Sequence, residues 1–388
     1  MDCLKNMNLI FSIQISAIFM EKDYLLDYLR KAPEVHNSVA FFKNMLSKAN
    51  YHEITDTSFL NHENKKFYFH FQNSLIIFNI KDLTQKNEFI SLMEQDLFPI
   101  HQESYFPTFE FNYSRFDTPN LDKSWKNRTM KIAGEVIVRD DENLKQFLIH
   151  PDYSIGFIQT LDDKNDAFTF AFLGRSKDCQ PIIKDYPGPI ISSISNHLNI
   201  PASLIEKVDV CLVDSNDPCF LGENRQFICG HQLSRMISPF LLLTSFLNID
   251  SPINGYNVFI CYHENTNLNE FSRIYDEILN KIGETKNSNI SQILVNSYLS
   301  ESADNNIILD DSSVLGDHKP IEFDEKYKII KQKIEFDPKF QDFLHKFSLH
   351  HVQISIPIHL MNTPREFASF DTLSNVVDVI NSIYSCYF

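Results

Sequence analysis

From Leu233 to the C-terminus the spacing of apolar residues switches repeatedly between helix and strand period. That alternation limits the folds open to the chain more than any single motif does. "LSRMISPFLLLTSFLNI" (233–249) has the spacing of a largely apolar helix, "YNVFICY" (256–262) is an apolar run of strand length, and "EFSRIYDEILNKI" (270–282) returns to helical spacing. The pattern predicts a further helix over 288–300, a strand over 351–360 and an amphipathic helix over 372–388. Near the other end, 24–49 reads as a helix broken by Pro33, followed by strands over 66–72 and 74–80. Between these lies a polar, aromatic stretch with strand-like runs over 131–140, 154–161, 167–174 and 207–214. Strand and helix alternation at both ends of a β-rich insert predicts an α/β core interrupted by a second domain.

The 388 residues are enough for two cores, and a net charge of −16 argues against a nucleic-acid partner, which needs a basic face. The seven cysteines, at 3, 179, 211, 219, 229, 261 and 386, form no C-x-x-C pair. They are expected to be reduced core residues of a cytoplasmic protein. The apolar start "MNLIFSIQISAIFM" (7–20) is too short and too interrupted for a membrane span, so no membrane partner is expected. Residues 1–22 are set apart as a leader. Glycine is scarce, 9 residues in all, where about 7% is usual. Few positions can therefore bring backbone close to a substrate or metal.

Five short stretches carry chemistry-bearing residues in a telling order. They are "IHQES" (100–104), "LVDSNDPCFLGENRQFICGHQLSRM" (212–236), "CYHENTN" (261–267), "SESADNN" (300–306) and "LMNTPREFAS" (360–369). Together they resemble the aspartyl aminopeptidase family, whose matching motifs are H-T-D-S, L-Y-D-x-Q-P with S-G-R-L-D-N-L, D-x-E-E-[VI]-G-S, S-A-D-M-A-H-A and L-S-M-H-S-x-R-E. "SWKNRTMKIAGEVIVRDDENL" (124–144) and "EVHNSVAFFKNMLSKANYHEI" (34–54) extend the likeness over most of 23–388. The resemblance implies a zinc-exopeptidase-like α/β domain, with a central mixed sheet flanked by helices, formed by 23–103 and 229–388. A β-rich dimerisation and assembly domain, 104–228, is inserted into it. It also implies large homo-oligomers, two zinc ions, and release of acidic N-terminal residues from peptides.

Two dications about 3.5–4 Å apart need anionic ligands to offset their repulsion. Carried over by motif, His101 and Asp304 stand at first-metal positions, Glu264 at the general base and Glu103 at a supporting carboxylate. The bridging Asp falls on Ser234, the Glu ligand on Asn265 and the C-terminal His on Asn362. Neutral Ser and Asn oxygens are poor zinc ligands. The resemblance therefore implies no cofactor, or at most one weakly bound zinc-type ion at His101 and Asp304.

Near the family's acid-selecting lysine the chain keeps His318 and Lys319, but that lysine's own position falls near Glu322 or Phe323. A family histidine that reaches across from a neighbouring subunit falls on Gln159. Arg365 and Glu366 read as the approach to the last helix rather than as chemistry. The first reading is a catalytically impaired homologue acting structurally or in regulation, as a homo-oligomer or beside an active relative. An active aminopeptidase with an altered metal site, helped by His231, His263 or His359, stands as the second. An unrelated α/β protein is the third.

Overall fold

The computed structural model describes residues 21–57, 60, 65–93, 105–107, 112–116, 123–140, 143–160, 168–172, 188–249, 251–252, 255–283, 289–300, 306–310, 329–331 and 350–387. Helices α1 (Lys22–Lys31) and α2 (Val35–Lys48) precede strands β1 (His52–Glu53), β2 (Lys66–Phe71), β3 (Ser74–Ile80) and β4 (Gln85–Met93). The middle of the chain forms β5 (Tyr105–Pro107), β6 (Asn112–Phe116), β7 (Thr129–Asp140), β8 (Asn143–Ile149), β9 (Gly156–Thr160) and β10 (Phe168–Phe172). Helix α3 (Gly188–Leu198) and β11 (Ile205–Asp214) complete it. Then come β12 (Cys219–Leu221), β13 (Phe227–Gly230), α4 (Leu233–Asn248), β14 (Tyr256–His263), α5 (Leu268–Ile282) and β15 (Asn289–Leu299). Strands β16 (Ile307–Asp310), β17 (Ile329–Lys331), β18 (His350–Ile358) and β19 (Glu366–Ser369) lead to α6 (Phe370–Tyr387).

The large sheet runs β1-β2-β3-β14-β4-β15-β18-β16-β17. Strands β14, β4, β15 and β18 are parallel to their neighbours in that series, while β3 and β16 pair antiparallel at its two sides. Both faces are covered, as a sheet with near-continuous apolar strands requires. Phe259 and Cys261 of β14 face the core built with α1, α2, α4 and α6. Val258 and Ile260, one residue away along the strand, face the core under α5. Each such aliphatic side chain contributes about 1.5–3 kcal/mol by leaving water.

The helix predicted over 288–300 is instead β15, inserted between β4 and β18. Ile293 and Val295 enter one core and Leu294 the other. An apolar run buried on both faces carries no period that separates strand from helix, and the β-branched side chains were the better guide. The break at Pro33 stands as predicted: α1 ends at Lys31, and α2 begins after Glu34, whose carboxylate caps it by accepting from His36 N and Asn37 N.

A second sheet, β11-β7-β9-β10-β6-β5 with β8 also on β7, packs on a core of its own that includes Trp125, Met130, Ile132 and residues of α3. Gly134, at φ +145°, lets β11 come close, since a Cβ there would lie 2.2 Å from the Asp209 carbonyl oxygen. The resulting register sets Glu135 directly opposite Asp209. A third, small sheet, β12-β13-β19, sets Glu366 opposite Gly230, just before α4. Among the described residues no helix is long and apolar enough to cross a membrane.

Candidate functional site

Ser234 lies in the first turn of α4, after Gln232 in a left-handed conformation at the N-cap. The start of a helix leaves backbone N–H groups without partners. Here the Glu366 carboxylate, delivered by β19, takes up that role. It accepts from Ser234 N at 2.6 Å, Ser234 Oγ at 3.1 Å and Asn362 N at 2.7 Å. Ser234 and Asn362 are thus brought together, but through Glu366. Arg235 Nη2 donates to Asn362 Oδ1 at 3.3 Å, and Trp125 Nε1 donates to the Asn362 carbonyl at 2.7 Å. Glu366 is fully buried, and burial pushes its carboxyl up to about 7 against those hydrogen bonds and the charge of Arg235.

This arrangement does not fit a zinc-type ion. Ser234 Oγ and Asn362 Oδ1 are neutral, both are engaged, and a guanidinium touches one of them. Among the described residues no group of three His, Cys, Asp or Glu side chains is disposed to hold a metal. His231, in the same region, is held neutral: burial, then Arg235, Arg365 and His150, lower its pKa to about 3. Its ring meets Trp125 edge-on at 5.5 Å. His359 stacks on Phe367 at 4.8 Å.

The end of β14 is a different environment. His263 is buried, its backbone N–H donates to Ser74 Oγ at 2.8 Å, and burial followed by the charge of His36 lowers its pKa to about 4. Glu264 and Asn265 are exposed in a turn, and Asn267 then caps α5 by accepting from Asn269 N and Glu270 N. Asn265 lines a cleft of about 500 Å³ together with His36, His70, Glu135, Lys207, Asp209 and His263. His101, Glu103, Asp304, His318 and Lys319 lie outside the described residues. Gln159 sits on β9, opposite Thr169 of β10.

One group of residues in the cleft had no signal in the sequence. Glu135 and Asp209 are direct cross-strand neighbours, an unfavourable pairing of like charges. The ring of His36, from α2, lies between them, with Nδ1 3.6 Å from Glu135 Oε2 and Nε2 3.4 Å from Asp209 Oδ2. Burial pulls His36 down, but Asp209, Glu34 and Glu135 together outweigh it and raise its pKa to about 9. The same contact holds Asp209 below its ordinary value. The imidazolium and its carboxylates join α2 to the second sheet. They come from three distant parts of the chain, so no local pattern marks them.

No family model matches the sequence, and no curated protein does. Solved structures do. Yeast aminopeptidase 1 superposes with a TM-score of 0.73 at 13% identity, covering 96% of this chain and 97% of that one. Aminopeptidase I from Borrelia burgdorferi gives 0.68 at 12% identity, covering 97% of each chain. The dodecamer of mature yeast Ape1 gives 0.71 at 13% identity, covering 96% of each. The likeness extends over nearly the whole of both chains, second sheet included: this chain has the fold of the M18, or aspartyl, aminopeptidases.

Proposed function

We propose that this chain keeps an aminopeptidase fold without the two-metal chemistry and serves as a structural or regulatory homologue of active enzymes. The observation that carries the reading is the hydrogen-bonded group at Ser234, Asn362 and Glu366. At the positions of the bridging Asp and the C-terminal His, both side chains are neutral, and Glu366 and Arg235 already occupy them. The family's ligands supply three carboxylates, whereas this chain keeps one, Asp304, at those positions. His101 with Asp304 would hold at most a single ion, and Glu264 is the remnant of the general base.

Elemental analysis tests the reading after purified protein is exposed to zinc, manganese or cobalt and desalted. Less than one ion per chain is expected. Two ions per chain would overturn it and make a working peptidase the reading, with peptides carrying acidic N-terminal residues as substrates.

Assembly belongs to the same proposal. Yeast Ape1 forms a dodecamer, and Ape4 is found in a complex with Nbr1. By analogy the chain would form homo-oligomers or join those of an active relative in the cytoplasm, through the insert at 104–228. Native mass spectrometry of the purified chain, alone and mixed with an active relative, would show oligomers in one case or both. A monomer in both would remove the assembly role.

A further inference from the structure

Cys219 on β12 and Cys229 on β13 are cross-strand partners in the small antiparallel sheet. Antiparallel partners have Cα atoms about 4.5 or 5.5 Å apart, depending on the type of pair, and both values lie within the span a disulfide accepts. The two thiols are in hydrogen-bonding contact, and both are reduced in this structure. Their surroundings differ in a useful way. Cys219 is partly exposed, whereas Cys229 is buried with the Arg365 side chain beside it. Burial raises the Cys229 thiol, and the charge and hydrogen bond of Arg365 work against that. A partly exposed thiol able to meet a reagent, with a second thiol directly opposite and next to a guanidinium, is the layout of an attacking and a resolving cysteine.

We propose that Cys219 and Cys229 form a thiol–disulfide modification site that reacts with small disulfides of the glutathione class. The Cys219 thiolate attacks one sulfur of the small disulfide, forming a mixed disulfide and expelling one thiolate. Cys229 Sγ then attacks the Cys219 sulfur, forming the intrachain bond and expelling the second thiolate. The two cysteine protons end on the leaving thiolates, so two cysteines are oxidised and one small disulfide is reduced. The new bond ties β12 to β13. Strand β13 runs directly into α4 and pairs with β19, which carries Glu366, so the bond braces the strand that positions Ser234. This inference is independent of metal loading and stands whether or not the chain is a peptidase.

The experiment incubates the full chain in glutathione disulfide and glutathione at graded ratios, quenches with an alkylating agent, and maps peptides by mass. A 219–229 cross-link two hydrogens lighter than the dithiol form is expected, reversed by excess reduced glutathione. Cys211 and Cys261 are buried in apolar surroundings and should alkylate only after unfolding. Cys229→Ser should trap glutathione on Cys219, and Cys219→Ser should abolish reaction at Cys229 in the folded chain. Oxidation should raise Tm by about 2–5 °C in the wild type and in neither variant. Glutathione that stays on Cys219 in the wild type, with no cross-link, would overturn the proposal. So would labelling of Cys229 at the same rate in Cys219→Ser.

Discussion

Two regions of this molecule hold carboxylates in opposite ways, one fully buried and the other partly exposed. At the start of α4, Glu366 is fully buried and receives its hydrogen bonds from neutral donors, two of them backbone N–H groups, and its pKa rises to about 7. In the cleft, Asp209 and Glu135 face each other with the His36 imidazolium between them, and Asp209 is held low. Neutral donors and the charge of Arg235 do not offset the desolvation of Glu366, whereas direct contact with an imidazolium does so for the partly exposed Asp209. A cluster of like charges held by a cation thus lies where the second sheet meets α2. Around Ser234 and Asn362 the side chains are instead engaged by Glu366 and Arg235.

The sharpest test of that contrast removes the neutral hydrogen-bonded group. Glu366→Ala leaves the Ser234 and Asn362 N–H groups buried without an acceptor, and chemical denaturation should show a loss of roughly 3 kcal/mol. Gly134→Ala attacks the other region through its backbone. The added Cβ collides with the Asp209 carbonyl oxygen at an unfavourable φ, and a loss of about 2–3 kcal/mol with weaker pairing of β7 to β11 is expected. Hydrogen exchange at the amides of 207–211 would report the weakened pairing. His36→Ala leaves two like charges opposite each other. Because the Asp209 side chain is 55% exposed, screening limits the loss to about 1–2 kcal/mol, and added salt should shrink it.

The pH dependence separates the two regions most finely. His36 has a folded pKa of about 9, above its ordinary 6.5, so its contribution is complete below about pH 6.5 and is lost as pH rises through 9. Glu366 is also raised, from 4.5 to about 7, so the native state holds its proton longer and stability falls as pH rises between those values. Denaturation midpoints measured from pH 4 to 10 should fall across both windows. Glu366→Gln should flatten the lower window and His36→Gln the upper; a single variant that flattened both would refute the separation.

Much of the fold was legible before any coordinates. The strands over 66–71, 74–80 and 256–263 and the helix of 268–282 follow from apolar spacing, and the gap between α1 and α2 follows from Pro33. The misreading of β15 marks the limit of that method, because a strand buried between two others shows no solvent face and therefore no period. Ser234 and Asn362 could be located by motif, and the structure does bring them together. Glu366 was read as the approach to the last helix, yet it is the carboxylate that joins them.

The sequence by itself determined most of the elements, β15 apart, and the α/β class, and by resemblance it set Ser234, Asn265 and Asn362 where the motifs have Asp, Glu and His, because residue type and local spacing carry that information. Tertiary structure alone decided that Glu366 would satisfy the start of α4 and that His36 would sit between Glu135 and Asp209. It also decided that Cys219 would face Cys229. Each depends on strand register or on a helix meeting a distant sheet, and hydrogen bonds and ion pairs act over a few ångströms between groups far apart along the chain.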